Sequence, residues 1–384
     1  MPSRPVLFLS PSSKLFGARR SLLTTVTNLP APWVPIVVCP PGRGGLQAEL
    51  AARDISHKII KHYNWRKGRF LLHRYLEVRA LRRLATQVRP ALIVANEFWS
   101  TPYALRAVVE SGTPVIAYSR LSITPRQIRN YELGRADLIV CVSRAAAEDF
   151  RGESWFEDKV RVLHNAVDVA ALELPEPERT DARRAFRAEL GLSDGDFLIG
   201  LVGVISERKR PETALRALRM LHERGMKAHL VLAGKPRPGE QSYESRLQKL
   251  AAGWDLGRFV HFVGFRQDIS RLYPALDVNL LLSDEEGFGR VVIEAGLFGI
   301  PTIGTRVGGI PEIIRDGQTG ALIGLDDAAA LADILRGWAA DAALRRRLGE
   351  AAARQAREEF SISRHISRLV ALFDEALDKY EHCW

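Results

Sequence analysis

Residues 197–211 read Phe197-Leu-Ile-Gly-Leu-Val-Gly203-Val-Ile-Ser-Glu-Arg208-Lys209-Arg210-Pro211, an apolar run without polar alternation, then a glycine, three successive cations and the start of a helical stretch. An unalternated apolar run bounded by a turn is a strand buried on both faces, and such strands belong to parallel sheets covered by helices. The same punctuation recurs on either side. Before it come runs at 6–9, 35–39, 91–95, 114–118, 137–142 and 160–163; after it come 228–233, 259–263, 278–282, 301–304 and 321–323. Helical stretches separate them, so the expected fold class is α/β, with parallel doubly wound sheets. A chain of 384 residues exceeds what one core organises and divides into two such domains.

The segment Ala171-Leu-Glu-Leu-Pro-Glu-Pro-Glu-Arg-Thr is acidic, holds two prolines and has no period, and is read as the interdomain linker. The expected domains are 1–172 and 173–360. Ile362, Ile366, Leu369, Phe373, Leu377 and Tyr380 recur every three or four residues, so 361–384 form an amphipathic helix that must pack on another element.

Composition narrows the class. With 46% hydrophobic and 26% charged residues the chain is globular. No apolar stretch approaches the roughly 18 residues of a membrane span, and the opening strand is too short for the core of a secretory leader. Cys39, Cys141 and Cys383 are isolated and the nine histidines show no pair at metal spacing, so neither a disulfide framework nor a metal site is expected. The expected location is the reducing cytosol. Charge is uneven: residues 1–170 carry 25 lysines and arginines against 13 acids, the remainder 30 against 32. That asymmetry turns the first domain toward an anionic partner. Residues 58–89 concentrate it, with ten cations against Glu77 alone and Trp65, Phe70 and Tyr75 between them. Such a stretch suits anionic lipid headgroups, or is a solvated helix whose arginines pack on neighbours. Nucleic acid would also suit the charge, but no helix-turn-helix, zinc or RNA-recognition motif accompanies it, and it is not an expected partner.

The densest chemical signal runs from Ser283 through Glu286-Gly287-Phe288-Gly289-Arg290 and Glu294 to Gly299-Ile-Pro301, Gly308-Gly309 and Thr319-Gly320. A strand ends, a glycine-rich loop follows and a helix begins near Gly289. Amide groups at such a helix start point into the crevice at the sheet's carboxyl edge, where a diphosphate fits. Glu286 in the loop and Glu294 about a turn and a half into the helix flank that point. A carboxylate accepts hydrogen bonds from adjacent hydroxyls, and a sugar nucleotide carries a sugar on each side of its diphosphate, so one acid holds the ribose and the other the transferred sugar. Lys209, at the turn after the strand beginning at Phe197, neutralises a leaving diphosphate as charge develops. In the first domain, Gly17 in the turn Ser12-Ser-Lys14-Leu-Phe-Gly17-Ala18-Arg19-Arg20 lets backbone approach a ligand, and Arg120 stands beyond the run 114–118.

The block from Glu286 to Glu294, with Gly-Ile-Pro, Gly-Gly and Thr-Gly after it and Lys209 before it, resembles the signature of retaining glycosyltransferases of family 4, the glycosyl transferases group 1, whose fold is GT-B. The resemblance implies two facing Rossmann-like domains with a cleft between them, and a last helix crossing back to the first domain. It assigns Glu286 to hydroxyls of the donor sugar, Glu294 to the ribose and Lys209 to the diphosphate. It also implies metal-independent transfer with retention, without a cofactor other than the nucleotide-sugar substrate. The arginine that relatives carry after the strand's glycine is Val204 here, so either Arg208 or Arg210 supplies that charge or the donor phosphates are bound more weakly than in relatives. Relatives carry Gly-Ala-Glu where this chain has Gly17-Ala18-Arg19, and Arg120 resembles a His or Arg at that place. Asp194-Gly-Asp196 imitates a metal motif of another glycosyltransferase fold but lies in a turn before a strand and is read as structural. The expected function is transfer of a sugar from a nucleotide-diphosphate sugar to a glycan or lipid-linked acceptor in cell-envelope polysaccharide or lipopolysaccharide synthesis, in the cytoplasm or at the inner membrane face. The alternatives are a nucleotide-sugar hydrolase or epimerase, or a basic nucleic-acid-binding protein.

Overall fold

In a computed structural model, described over residues 2–15, 17–42, 45–62, 65, 71–237 and 239–381, the apolar runs become parallel strands of two sheets. One sheet lies in a unit made of Met1–Ala166 and Ile362–Trp384, the other in a unit made of Val167–Ser361. Arg66, Lys67, Arg69, Phe70 and Cys383 lie outside the described residues, as do the side chains of Leu71 and Tyr380.

The first unit holds β1 (Arg4–Leu9), β2 (Trp33–Cys39), β3 (His57–Ile59), β4 (Leu92–Ala95), β5 (Val115–Ser119), β6 (Leu138–Cys141) and β7 (Val160–Val162). They pair in the order β3-β2-β1-β4-β5-β6-β7, every pair parallel. Each doubly buried strand removes its Val, Ile and Leu side chains from water on both faces, at roughly 1.5–3 kcal/mol apiece. Val6, Leu92, Val94, Ile116 and Ile139 are accordingly sealed off. β3 had no apolar run to announce it: it is a three-residue edge strand with Lys58 and Ile59 exposed.

The helix Ile362–Glu381 belongs to this first unit. Its Leu369, Phe373 and Ala376 are fully buried, and the Phe373 ring meets Phe8 of β1 and Trp33 of β2 at 6.5 and 5.1 Å between centroids. Glu375 pairs with Arg161 of β7 at 2.6 Å, and His365 Nδ1 lies 2.8 Å from the carbonyl of His164.

The second unit holds β8 (Phe197–Val202), β9 (Ala228–Ala233), β10 (Val260–Phe262), β11 (Val278–Leu281), β12 (Thr302–Thr305) and β13 (Gly320–Ile323), paired β10-β9-β8-β11-β12-β13, again all parallel. The boundary falls at Ala166, ahead of the expected 172, and the expected linker is largely helical: Val169–Leu172 forms one turn and Glu176–Glu189 a helix of 14 residues. Prolines at a helix's first turn lose no hydrogen bond, and Glu176 and Glu178 favour its positive end, so the features read as a break are a start signal. Buried Arg187 fixes that helix to the sheet by an ion pair with Asp277 at 2.7 Å and bonds to the carbonyls of Ala275, Ser193 and Asp196.

Candidate active site

In each sheet the chain runs outward one way from the first strand, then returns and runs out the other way, leaving a crevice at the carboxyl edge between β8 and β11 and between β1 and β4. Loops diverge at such a switch point and ligands of α/β folds bind there.

In the second unit both bordering loops are locally determined. After β8 the chain makes a one-turn helix, Glu207–Lys209, then Arg210 takes a left-handed φ of 50° and the helix Pro211–Glu223 begins. After β11 the loop 282–289 leads into the helix Arg290–Leu297 through Gly289, whose φ is 101° and whose added Cβ would stand 2.6 Å from Leu281 Cδ2. The loops are bonded to each other: the amide of Asp284 donates to the carbonyl of Arg208 at 3.1 Å, the Arg208 guanidinium donates to the carbonyl of Glu285, and Arg210 pairs with Asp284 at 3.0 Å. A third loop, after β12, holds Glu286 by its backbone. The amide of Gly309 donates to the Glu286 carbonyl at 2.9 Å, and a Cβ on Gly308 would come within 2.2 Å of that oxygen.

This framework brings Lys209 and Glu286 together. Lys209 Nζ donates to Glu286 Oε2 at 2.5 Å, and the hydroxyl of buried Ser283 donates to the same oxygen at 3.2 Å. Both side chains are mostly enclosed, 12% and 14% exposed, so their attraction is less screened than that of a surface ion pair. Burial pushes the Glu286 carboxyl up, but Lys209, then Arg208 and the Ser283 hydroxyl, outweigh it and hold the carboxyl below its ordinary value. A lysine and an ionised carboxylate therefore face the crevice beside a helix N-terminus.

Glu294 has other partners. It is buried, with Oε2 accepting from Tyr273 at 3.1 Å and Oε1 from Arg290, one turn earlier, at 3.2 Å. Sequence spacing put it at the same point as Glu286; the structure gives it a separate hydrogen-bonded seat. Phe288, grouped with the ligand-facing residues in the sequence, is a core ring, 3% exposed and packed edge-on against Phe360 at 5.7 Å. Gly287 beside it is buried as well. Arg208 and Arg210, the two substitutes for the arginine absent at Val204, are engaged with loop carbonyl and carboxylate; Arg208 still acts on Glu286 through its charge. Asp196 accepts from the amide and hydroxyl of Ser193 at 2.7 and 2.8 Å, which makes it the brace of a turn.

In the first unit Gly17 opens the helix Gly17–Thr27 and is exposed, with nothing within 4 Å of a Cβ placed on it. Arg120 spans the strand ends: Nε and Nη2 donate to the carbonyl and side-chain oxygen of Asn96 at 2.9 and 2.7 Å, and Nη1 to Asn165 at 3.0 Å. Next to it sits a pair that sequence reading missed, Arg19 with Glu97 at 3.0 Å. A lone acid following a buried strand has no spacing to distinguish it. Trp65, in the stretch read either as lipid-facing or as packing its arginines on neighbours, packs at 4.9 Å on Tyr103, with the guanidiniums of Arg74 and Arg106 over it at 4.5 and 4.8 Å.

The sequence matches two family profiles: residues 17–171 match Glycosyltransferase Family 4 and residues 182–355 match Glycosyl transferases group 1. The chain belongs to glycosyltransferase family 4. Among relatives, the D-inositol 3-phosphate glycosyltransferase of Streptomyces avermitilis is 36% identical over 226 residues, covering 57% of this chain and 47% of that one. The N-acetyl-alpha-D-glucosaminyl L-malate synthase of Bacillus anthracis is 26% identical over 64% of this chain and 62% of its own. This chain thus spans about half the length of the first of these relatives. Among solved structures, Anabaena HepE, in complex with UDP and glucose, superposes with a TM-score of 0.84 at 22% identity, over 96% of this chain and 99% of that one. Sucrose-phosphate synthase from Thermosynechococcus elongatus gives 0.81 at 18% identity, over 98% and 100%. The family 4 chain therefore has the GT-B architecture of two Rossmann-like units.

Proposed function

We propose that this protein transfers a sugar from a nucleotide-diphosphate sugar, of the UDP type bound by HepE, to a hydroxyl of a glycan or lipid-linked acceptor with retention of configuration. The observation that carries the reading is the Lys209–Glu286 contact beside the start of the helix Arg290–Leu297 at the β8/β11 switch point. The donor's diphosphate lies at that helix start and takes the ammonium of Lys209. Glu286, released from direct contact with the lysine, accepts from hydroxyls of the donor sugar. Glu294 exchanges one of its present donors for the ribose. As the glycosidic bond breaks, Lys209 neutralises charge on the departing phosphate, a task that needs no metal in this scheme. The relatives' names carry acceptors as different as inositol 3-phosphate and malate, so acceptor choice is set by each chain's own residues.

Thermal stabilisation by a panel of UDP, GDP and ADP sugars tests the donor, since a ligand at ~100 times its Kd adds about 2.7 kcal/mol to native stability. UDP sugars should raise the melting temperature of the parent and fail to do so in Lys209→Ala. Labelled donor then separates the reactions: a glycoside supports transfer, free sugar or an isomer overturns it. The enzyme also works at an anionic membrane surface in this proposal. On the helix Leu71–Val88, Leu72, Tyr75 and Leu76 are 66%, 62% and 51% exposed, and Arg79 and Arg83 continue the same exposed stripe. Co-sedimentation with phosphatidylglycerol vesicles at low salt should be lost in the triple change to serine at Leu72, Tyr75 and Leu76; binding by neither protein would remove the membrane from the scheme.

A further inference from the structure

Two cation–carboxylate pairs flank the start of the helix Arg290–Leu297. The first is Lys209 with Glu286. The second is Arg290 with Glu294, 3.2 Å apart, their side chains 16% and 7% exposed and their positions one turn apart on the same helix. Residues so spaced stand about 5–6 Å apart between Cβ atoms, so Arg290 lies one turn nearer the helix start than Glu294. It is the first residue of the helix, an unfavourable place for a cation, since the aligned amides already make that end positive. Within the first turn nothing offsets it: Gly289 contributes no side-chain cap and the turn holds no acid. Arg290 reaches Glu294 with Nη2, while Nη1 is buried without a hydrogen-bond partner. An anion at this helix start relieves both the positive helix end and the half-used guanidinium.

The other cations of these loops are placed differently. Arg208 donates to the carbonyl of Glu285, Arg210 pairs with Asp284 and stands 3.8 Å from Asp326, and Arg306, after β12, pairs with Asp316. Lys235 and Arg237 are exposed on the loop after β9, two strands from β11. Glu294 itself has two donors, and the scheme above exchanges one of them for the ribose. Tyr273 is fully buried, so its hydroxyl stays; Arg290, partly exposed, is the donor that leaves. We infer that the ribose releases Arg290 from Glu294 and that Arg290 passes to the donor's diphosphate, in place of the arginine absent at Val204. The inference rests on the glycosyltransferase reading above and deepens it. The donor splits both pairs: Glu286 and Glu294 go to its two sugars, Lys209 and Arg290 to the phosphates between them. The charges match, because each phosphorus of a nucleotide-diphosphate sugar carries one negative charge and receives one cation. With Nη1 and Nη2 both available, the guanidinium presents the two-donor fork that phosphate oxygens accept.

Calorimetric titration of the full chain with UDP, and with uridine by displacement, tests it, because the ratio of the two affinities isolates the phosphates from base and ribose. In Arg290→Met the ratio should fall about tenfold while uridine affinity stays within about twofold of the parent's. An arginine with a purely structural role would cost both ligands alike and leave the ratio unchanged. Arg208→Met, Arg210→Met and Lys235→Met should each lower the ratio less than Arg290→Met does. A parent-like ratio in Arg290→Met, or a lower one in any of those three than in Arg290→Met, overturns the inference. If Arg290→Met does not fold, Glu294→Gln with and without Arg290→Met repeats the comparison with no acid left uncompensated, and an equal ratio in those two proteins overturns the inference. The parent keeps the two claims apart. A parent that does not prefer UDP to uridine brings down the donor reading and this inference together, while a parent that does, with an unchanged ratio in Arg290→Met, brings down this inference only.

Discussion

Each unit places a buried carboxylate beside a cation at the carboxyl edge of a parallel sheet, yet the two pairs differ. Glu286 has its Oε2 held by Lys209 and Ser283, and its carboxyl stays below the ordinary value of 4.5. Glu97 is buried, has Arg19 on one oxygen and no hydrogen-bond partner on the other among the described residues, and its carboxyl is pushed up, since burial outweighs the help of Arg19 and Arg120. The contrast teaches that nearness to a cation does not by itself fix a carboxylate's charge; the balance of burial against the cations and donors around it does. An acid held ionised by an adjacent ammonium suits diphosphate chemistry in the proposed scheme.

The sharpest way to break this comparison is to remove the second unit's pair. Lys209→Ala and Glu286→Ala should each lower turnover by about 100- to 1,000-fold, the range for losing one transition-state donor, while circular dichroism shows a retained fold. Parent-like turnover in both variants would strip the pair of its role. Next comes Gly308→Ala. At a φ of 54° and facing the Glu286 carbonyl, an added methyl must displace that loop, so stability should fall by about 1–3 kcal/mol in chemical denaturation and donor affinity with it. A variant as stable as the parent would mean that the third loop does not set the position of Glu286.

Sequence reading reached the sheets because buried strands announce themselves: the run 228–233 coincides with β9, and the other expected runs fall on strands within two residues at each end. It lost β3, whose three residues are mostly exposed, and misread a proline-rich helix start as a linker because prolines and acids signal either. Within the site, residue spacing led to Lys209 and Glu286, but spacing carries no direction. It could not show that the Phe288 ring turns into the core or that Glu294 has its own donors. Glu97 was invisible for a further reason: its burial and its pairing with Arg19, 78 residues away in the chain, appear only in the folded structure.

Smaller effects sharpen the contrast. Glu294→Ala should weaken UDP binding about tenfold in calorimetry, less than either change at the Lys209–Glu286 pair costs turnover, because the proposed scheme puts Glu294 on the ribose and not at the reacting centre. The pH dependence is subtler still. Glu286 is depressed when folded, so its contribution is complete above 4.5 and is lost as pH falls below that through its folded value; Glu286→Gln should flatten the acid limb of the stability curve. Glu97 is raised when folded, so ionising it costs stability as pH climbs from 4.5 through its folded value, and Glu97→Gln should remove that decline. Opposite changes of slope in the two variants support the contrast, and identical ones refute it.

The first unit is assembled from two stretches of chain separated by the whole of the second. During synthesis its β1–β2 face, with Phe8 and Trp33, must wait uncovered until Phe373 is made. At ~5–20 residues per second, translating residues 167–361 takes on the order of ten seconds or more. The contiguous Val167–Ser361 portion can mature on the ribosome in that interval, while the nascent amino-terminal portion is left as a substrate for chaperones.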